Sequence, residues 1–538
     1  ICPTGLDAVR DHLRGLSGLV FAEVQPPVRL RNAASAWRCQ GGVPGGTPVF
    51  DRGLRGEGQV IGLMDTGVDV DSCYFWDQAH GLPALNGRDG ANVDLQQRKV
   101  LAVDFHWAED WPYPSSWDWD DQGHGTHVAG SAAGDAGLLG VHDGFDGMAP
   151  AARLVIQDGG FAVDDCADLP GLGCPTRPLE PVFEQAYLQG ARIHSNSWGD
   201  EEELTPYGRY TERTADVDRF CWNHKDFLVF FAAGNEGPGW GTVGSPATGK
   251  NVVGVGATVH GSVEPPCVAS FSSRGPTRDG RLKPDVVVPG QGVVSARSDG
   301  HAGTGNCDVR TSSGTSMAAP TAAGLAALVR QYYEDGFYPG RVADPEHGFS
   351  PSAALVKATL VAAAVDLADL GCSGVERVPS RDQGWGLVML ERALAFADSS
   401  HRLVVDDHRS GFERVDDPPV MLSLEVESAG PLKVVLAWTD PPSTSAAAVN
   451  LVNDLDLVVS GPDGTFRGNV FFSGASVAGG EPDRLNNLEV VWRPEASPGR
   501  WTVTVTPRAV NLGPQDFALV VTGPVRAEAP RAVRGRVG

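Results

Sequence analysis

The sequence predicts an α/β fold, a doubly wound and mostly parallel sheet, followed by an all-β sandwich or jelly-roll domain. Three observations carry this. Between about residues 58 and 395, short apolar runs of β type alternate with Ala- and Gly-rich helical runs, the pattern of parallel strands joined by crossover helices. The strand runs are continuously apolar, as strands buried on both faces require. After about residue 400 the helical period stops, and short strand-like runs follow one another between Gly, Pro, Asn and Asp turns.

The elements follow in order. Residues 1–31 stand apart as a third region. Strands are expected at 59–64, 154–157, 192–195, 227–232, 252–256 and 285–288, and helices at 125–133, 181–189, 316–333 and 352–364. In the tail, strands are expected at 421–427, 432–439, 454–460, 488–492, 501–507 and 517–522, with turns such as GPDG at 461–464. The expected division is 1–31, a catalytic α/β domain at 32–400, a β domain at 401–526 and a tail at 527–538.

The chain has 538 residues, enough for several domains, with 43 basic and 67 acidic residues and a formal charge of −24. Such a balance repels polyphosphate and anionic lipid, so neither nucleic acid nor membrane is an expected partner. No apolar run approaches the ~20 residues of a membrane-spanning helix. Nine cysteines are scattered without a CxxC pair. That argues against a zinc cage and for some disulfides in an oxidising compartment. Cys166 and Cys174 are spaced to close a small loop, and Cys73 follows the first motif described next.

Four segments carry chemistry. Asp65-Thr66-Gly67 directly follows the strand QVIGLM, and such sheets gather their sites at strand carboxyl ends. His124 lies in GHGTHVAG at 123–130, with glycine on both sides leaving its ring open. His127 shares its helical face, but H-x-x-H is not a metal-helix spacing, and His127 is expected to be a packed core histidine. Ser316 lies in GTSMAAP at 314–320, opening an Ala-rich helix whose N-terminus favours developing negative charge. Asn235 lies in GNEG at 234–237, after a buried strand, where its amide can face an oxyanion. A serine needs a neighbouring imidazole as base, and the imidazole needs a carboxylate to fix its tautomer. Asp65, His124, Ser316 and Asn235 together supply all of these.

With SNSWG at 195–199, these five motifs stand in an order that resembles the subtilisin-like serine proteases, the subtilases. The resemblance spans about residues 60–395. FSSRGPTRDGRLKPDVVVPG at 271–290, LVNDLDLVVSGPDG at 451–464 and NLGPQDFALVVTG at 511–523 resemble the oxidatively stable alkaline protease subgroup, which carries a C-terminal β-barrel or jelly-roll domain.

The resemblance implies a secreted serine endopeptidase working through an Asp65–His124–Ser316 triad and an acyl-enzyme. Asn235 and the Ser316 N–H would form the oxyanion hole. Ser197, Trp198 and Gly199 would pair with the substrate backbone as an added strand. Ala232, Ala233 and Gly234 would form the other wall of the primary pocket. Gly244 would lie near its floor, giving broad specificity with preference for large apolar side chains, and Glu236 at the rim would tolerate basic ones. Polypeptide substrates and a monomer are expected. Residues 1–31 are either the end of a propeptide removed near residues 31–32 or a retained extension. If they leave, the remaining eight cysteines can pair completely. Met317, beside the nucleophile, suggests peroxide sensitivity.

Structural Ca2+, common in the family, points to Asp454 and Asp456, i and i+2 on one strand face beside Asn453 and near Asn486 and Asn487. Asp69 and Asp71 make a second such pair. Two other readings are an esterase on the same groups and a binding protein on a degenerate protease scaffold. The peptide-pairing segments disfavour the first, and the presence of all four chemical groups disfavours the second.

Overall fold

The computed structural model describes residues 32–87, 89–106, 120, 123–137, 144–159, 178–200, 206–301 and 303–527. The described residues all belong to one compact unit, Arg31–Gly538. The propeptide reading and the Cys166–Cys174 loop fall outside the described residues.

The first half builds a ten-stranded sheet. In chain order its strands are β1 (Val60–Asp65), β2 (Ala84–Asn86), β3 (Val100–Phe105), β4 (Arg153–Asp158), β5 (Ile193–Asn196), β6 (Leu228–Ala232), β7 (Val253–Thr258) and β8 (Val286–Pro289). A short hairpin of β9 (Val293–Ala296) and β10 (Val309–Ser312) stands outside it, and β11 (Ala364–Val365) and β12 (Leu387–Val388) complete the sheet. The spatial order is β11-β12-β8-β7-β6-β5-β1-β4-β3-β2, with every pairing parallel except β11–β12. From β1 the chain winds out to β2, returns through β3 and β4, then crosses β1 to β5. The carboxyl end of β1 is therefore the switch point, where such sheets open a crevice.

Among the described residues six helices accompany the sheet: α1 (Asn32–Gln40), α2 (His124–Ala133), α3 (Leu179–Leu188), α4 (Glu212–Asn223), α5 (Thr315–Glu334) and α6 (Ala353–Ala362). The sheet is buried on both faces. Along β6, Leu228 and Phe230 enter one core with residues of α2, α5 and α6. Phe227, Val229 and Phe231 enter another with residues of α3 and α4. The strict alternation follows from the two-residue period of a strand, and double burial explains why the sequence reads as an unbroken apolar run.

The second half is a β sandwich of β13 (Arg402–Phe412), β14 (Val420–Val426), β15 (Gly430–Ala437), β16 (Asp454–Gly461), β17 (Gly464–Phe472), β18 (Ala475–Ala478), β19 (Leu488–Ala496), β20 (Gly499–Ala509), β21 (Gln515–Gly523) and β22 (Val525–Ala527). One sheet runs β13-β21-β15-β19 and the other β18-β17-β16-β20-β14-β22. On β15, Leu432, Val434 and Leu436 point into the sandwich core. Val435 and Ala437 point the other way, into the core shared with α5 and α6. The four-stranded sheet thus has no solvent face of the usual kind. Its outer surface is part of the α/β core, and residues 31–538 cluster as one unit although the sequence changes character at 400.

Among the described residues two disulfides are formed, Cys73–Cys307 and Cys267–Cys372. The expectation of complete pairing fails, because Cys39 and Cys221 are free and buried. Each sits in an apolar core, Cys39 on α1 and Cys221 on α4. Among the described residues no helix is long and apolar enough to cross a membrane.

Candidate active site

Asp65 closes β1 and is buried. His124 opens α2, and its Nδ1 lies 2.6 Å from Asp65 Oδ1. Glycine makes the approach possible: a Cβ on Gly125 would collide with the carbonyl oxygen of Gly67. The carboxylate raises the pKa of His124 above the usual imidazole value, against the opposing effect of burial. Nδ1–H is the donor in this pair, which leaves Nε2 as the base facing outward.

Ser316 is the second residue of α5, half-buried, in the first helical turn. Pro320 lies further into the helix than the first turn, and its position has a use. Lacking an N–H, it cannot bond the Ser316 carbonyl as an ordinary helix residue would. That carbonyl accepts the Ser197 hydroxyl at 2.7 Å instead. The Ser316 hydroxyl donates to the Ser197 carbonyl at 3.2 Å. The nucleophile candidate is thus held to the segment that follows β5, one position beyond the Met64–Asn196 pairing of β1 with β5.

Asn235 follows β6 and joins the same group. Its Oδ1 accepts the Thr315 N–H at 2.8 Å and the Thr315 hydroxyl at 3.1 Å. With the oxygen bonded to Thr315, the amide Nδ2 of this exposed residue is left to donate elsewhere.

The pocket segments come together as well. The Gly244 N–H bonds Ala233 O at 3.0 Å, and the Asp200 N–H bonds Ser245 O at 2.8 Å. Residues 197–200, 232–234 and 243–245 therefore run side by side. A Cβ on Gly244 would meet nothing within 4 Å, so the space beside it is open. Gly199 is exposed, while Trp198 turns inward and packs edge-on against Phe231 at 5.2 Å between ring centres. Its backbone rather than its indole is left for a ligand. Glu236 is exposed at the edge of the same loop.

His127 is a core residue, fully buried, with Nε2 within 3.2 Å of the Val293 and Arg310 carbonyls of the β9–β10 hairpin. Burial pushes its pKa down to about 3, which keeps it neutral. Met317 is also buried, at 1% exposure, so its sulfur is shielded from dissolved oxidant.

The carboxylate pairs offered for Ca2+ have other partners. Arg484 Nη1 lies 3.0 Å from Asp454 Oδ2 and 2.5 Å from Asp456 Oδ1. Its guanidinium stands where a cation would, and the pair does not fit a metal ion. Asn453 is fully buried, and its side chain holds the backbone of Asn511 and Leu512. Asn486 accepts from the Leu282 N–H, and Asn487 donates to Trp438 O. Asp69 accepts from Ser72 N–H and Asn306 Nδ2, and Asp71 accepts from Gly303 N–H. This second pair therefore anchors the 299–306 loop that the Cys73–Cys307 bridge also ties down.

Two residues at the centre were not expected from the sequence. Asp120 accepts the Gly123 N–H at 2.8 Å and the Thr126 N–H at 2.7 Å, capping the helix that carries His124. Thr66 bridges it to Asp65. An Asp just before a helix is a capping signal, but two adjacent aspartates at 120 and 121 gave no way to choose.

The family model described as Peptidase S8, subtilase family, matches residues 56–386. The chain belongs to the subtilase family. The match begins just before β1 and ends just short of β12, so it covers β1 to β8 of the sheet. The subtilase relatives include the serine protease/ABC transporter B family protein tagD of Dictyostelium discoideum, 28% identical over 88% of this chain and 32% of that protein. Serine protease AprX of Bacillus subtilis (strain 168) is 30% identical over 52% of this chain and 59% of that protein. The chain spans about a third of the length of the Dictyostelium proteins it matches. Among solved structures, sphericase is 23% identical over 62% of this chain and 92% of its own, with a TM-score of 0.41.

Proposed function

We propose that this subtilase is a secreted serine endopeptidase, with polypeptides as substrates and Asp65, His124 and Ser316 as its triad. The observation that carries the proposal is the 2.6 Å contact of His124 with Asp65, set beside a Ser316–Ser197–Asn235 group on neighbouring strand ends. In the reaction, a rotation about χ1 turns the Ser316 hydroxyl from Ser197 O to His124 Nε2. The oxygen attacks the scissile carbonyl as Nε2 takes its proton. Asp65 holds the Nδ1–H tautomer and stabilises the imidazolium. Asn235 Nδ2 and the Ser316 N–H receive the oxyanion at the positive end of α5. His124 returns the proton to the leaving amine, and water then releases the acyl group by the same route.

Residues 197–199, which continue from β5 and end in the exposed Gly199, would pair with the substrate backbone as an added strand. The open space by Gly244 supports a preference for large apolar P1 side chains. Two disulfides support export to an oxidising compartment. A fluorophosphonate probe tests the central reading. Labelling of Ser316, with loss of labelling and peptide cleavage in Ser316→Ala, is expected. Absence of labelling in folded protein favours the degenerate-scaffold alternative, and a cleavage profile dominated by acidic P1 residues overturns the specificity.

A further inference from the structure

Thr66 has one hydroxyl proton and two carboxylates within reach. Its oxygen accepts the Gly125 N–H at 2.8 Å. Its proton faces Asp120 Oδ1 at 2.7 Å and Asp65 Oδ1 at 3.3 Å. Asp120 also holds the Gly123 and Thr126 N–H groups, so it and Thr66 between them cap the first turn of α2, whose N-cap Gly123 has no side chain to offer. Both members of the His124–Asp65 pair therefore rest on this one carboxylate, one through the helix and the other through Thr66.

We propose that Asp120 is a positioning residue for the reaction, holding His124 and Asp65 in register through the helix N-terminus and the Thr66 hydroxyl. This rests on the peptidase reading above. With Asp120 ionised, the Thr66 proton goes to Asp120, and Asp65 keeps its charge for His124. With Asp120 protonated, its own O–H donates to Thr66, and the Thr66 proton turns to Asp65. That draws charge away from the imidazole and removes a second negative charge from its surroundings. The proton is conserved in both arrangements. The charged groups about this cluster are Asp65 on β1, His124 on α2 and Arg310 on β10, with Arg310 opposing the two carboxylates at His124. Burial pushes the Asp120 carboxyl up to about 6, so the exchange falls within the acid limb of activity.

The test is the pH profile of kcat/KM for wild type, Asp120→Asn and Thr66→Val on one peptide, with Ser316→Ala as control. Wild type is expected to lose activity on the acid side with a slope steeper than one proton, because His124 and Asp120 must both be ionised correctly. Asp120→Asn is expected to lower kcat about 10–100-fold with KM within about twofold. Its acid limb moves to lower pH, since a negative neighbour of His124 is gone, and its slope falls to one. Should Asp120→Asn fail to accumulate as folded protein, Thr66→Val reads the same relay, with lowered kcat and a one-proton slope. Unchanged limb and slope in either variant overturn the inference, even where kcat falls, because a cap with a structural role alone moves stability and not the profile. Activity surviving in Ser316→Ala sinks the peptidase reading instead.

Discussion

Lys250 Nζ lies 2.5 Å from Asp440 Oδ2, with both side chains fully buried. Lys250 belongs to the α/β half and Asp440 to the β sandwich. Asp440 also accepts the Val452 N–H at 2.9 Å and the Asn453 N–H at 2.7 Å, while its own backbone exchanges two hydrogen bonds with the Asn251 side chain. A buried pair of this kind is expensive to break, because the survivor stays charged in an apolar site. Lys250→Met is expected to cost about 3–5 kcal/mol in urea unfolding. Lys250→Met/Asp440→Asn should lose less than the single Lys250 variant, since the amide needs no counter-charge. A double variant less stable than Lys250→Met would show that the pair is not what joins the halves. For the same reason, truncation at residue 400 is expected to give unfolded or aggregated protein, because it strips Val435, Val490 and Val520 from the shared core.

Asn235 is held by Thr315 through its Oδ1, which leaves its Nδ2 for the proposed oxyanion. Asn235→Ala is expected to lower kcat by about 10²–10³ with little change in KM, because the amide acts on an oxyanion that the ground state lacks. Thr315→Val removes one of two contacts to Oδ1 and should show a smaller loss of the same kind. A rise in KM at constant kcat would place Asn235 in substrate binding rather than oxyanion stabilisation.

The sequence located most of the parallel strands because double burial writes an apolar run, as at β1, β6 and β8. It missed β2 and the β9–β10 hairpin, which are four residues or fewer, and β3, a fully buried run whose apolar pattern is interrupted by Asp104. It also missed α4, whose charged face hides the apolar stripe of Ala215, Val217, Phe220 and Cys221. Asp65 and His124 could be read as partners because a reaction needs both. Asp120 could not, since its task is set by three backbone and hydroxyl donors that only the fold brings together. The acidic pair at 454 and 456 misled for a related reason. A neighbour 28 residues beyond Asp456, Arg484, supplies the positive charge, and nothing in the local spacing announces it.

The Cys73–Cys307 bridge closes over a loop already held by Asp69 and Asp71. Replacing both cysteines by Ser is expected to cost about 2–5 kcal/mol, and dithiothreitol should lower the Tm of wild type. Cys39 and Cys221, with burial raising both thiol pKa values, should alkylate only after unfolding. Peptide mapping after iodoacetamide treatment of native protein checks this, and labelling of either thiol in the folded state contradicts it.

Arg484 stands between two carboxylates, one of which is unfavourably buried. Burial pushes the Asp454 carboxyl up to about 6, although Arg484 pulls it down. A carboxyl raised in the folded state binds its proton more tightly than in the unfolded chain. Its ionisation therefore lowers stability, with no penalty below the unfolded pKa near 4 and the full penalty above about 6. Removing Arg484 raises the folded pKa further and deepens that penalty. Arg484→Ala is expected to be near wild type in stability at pH 4 and clearly less stable at pH 8. The measurement is Tm against pH for both proteins, with and without EDTA. A constant difference across the range would deny the charge role. A wild-type Tm lowered by EDTA, together with Arg484→Ala that is no less stable than wild type, would return the pair to a metal ion.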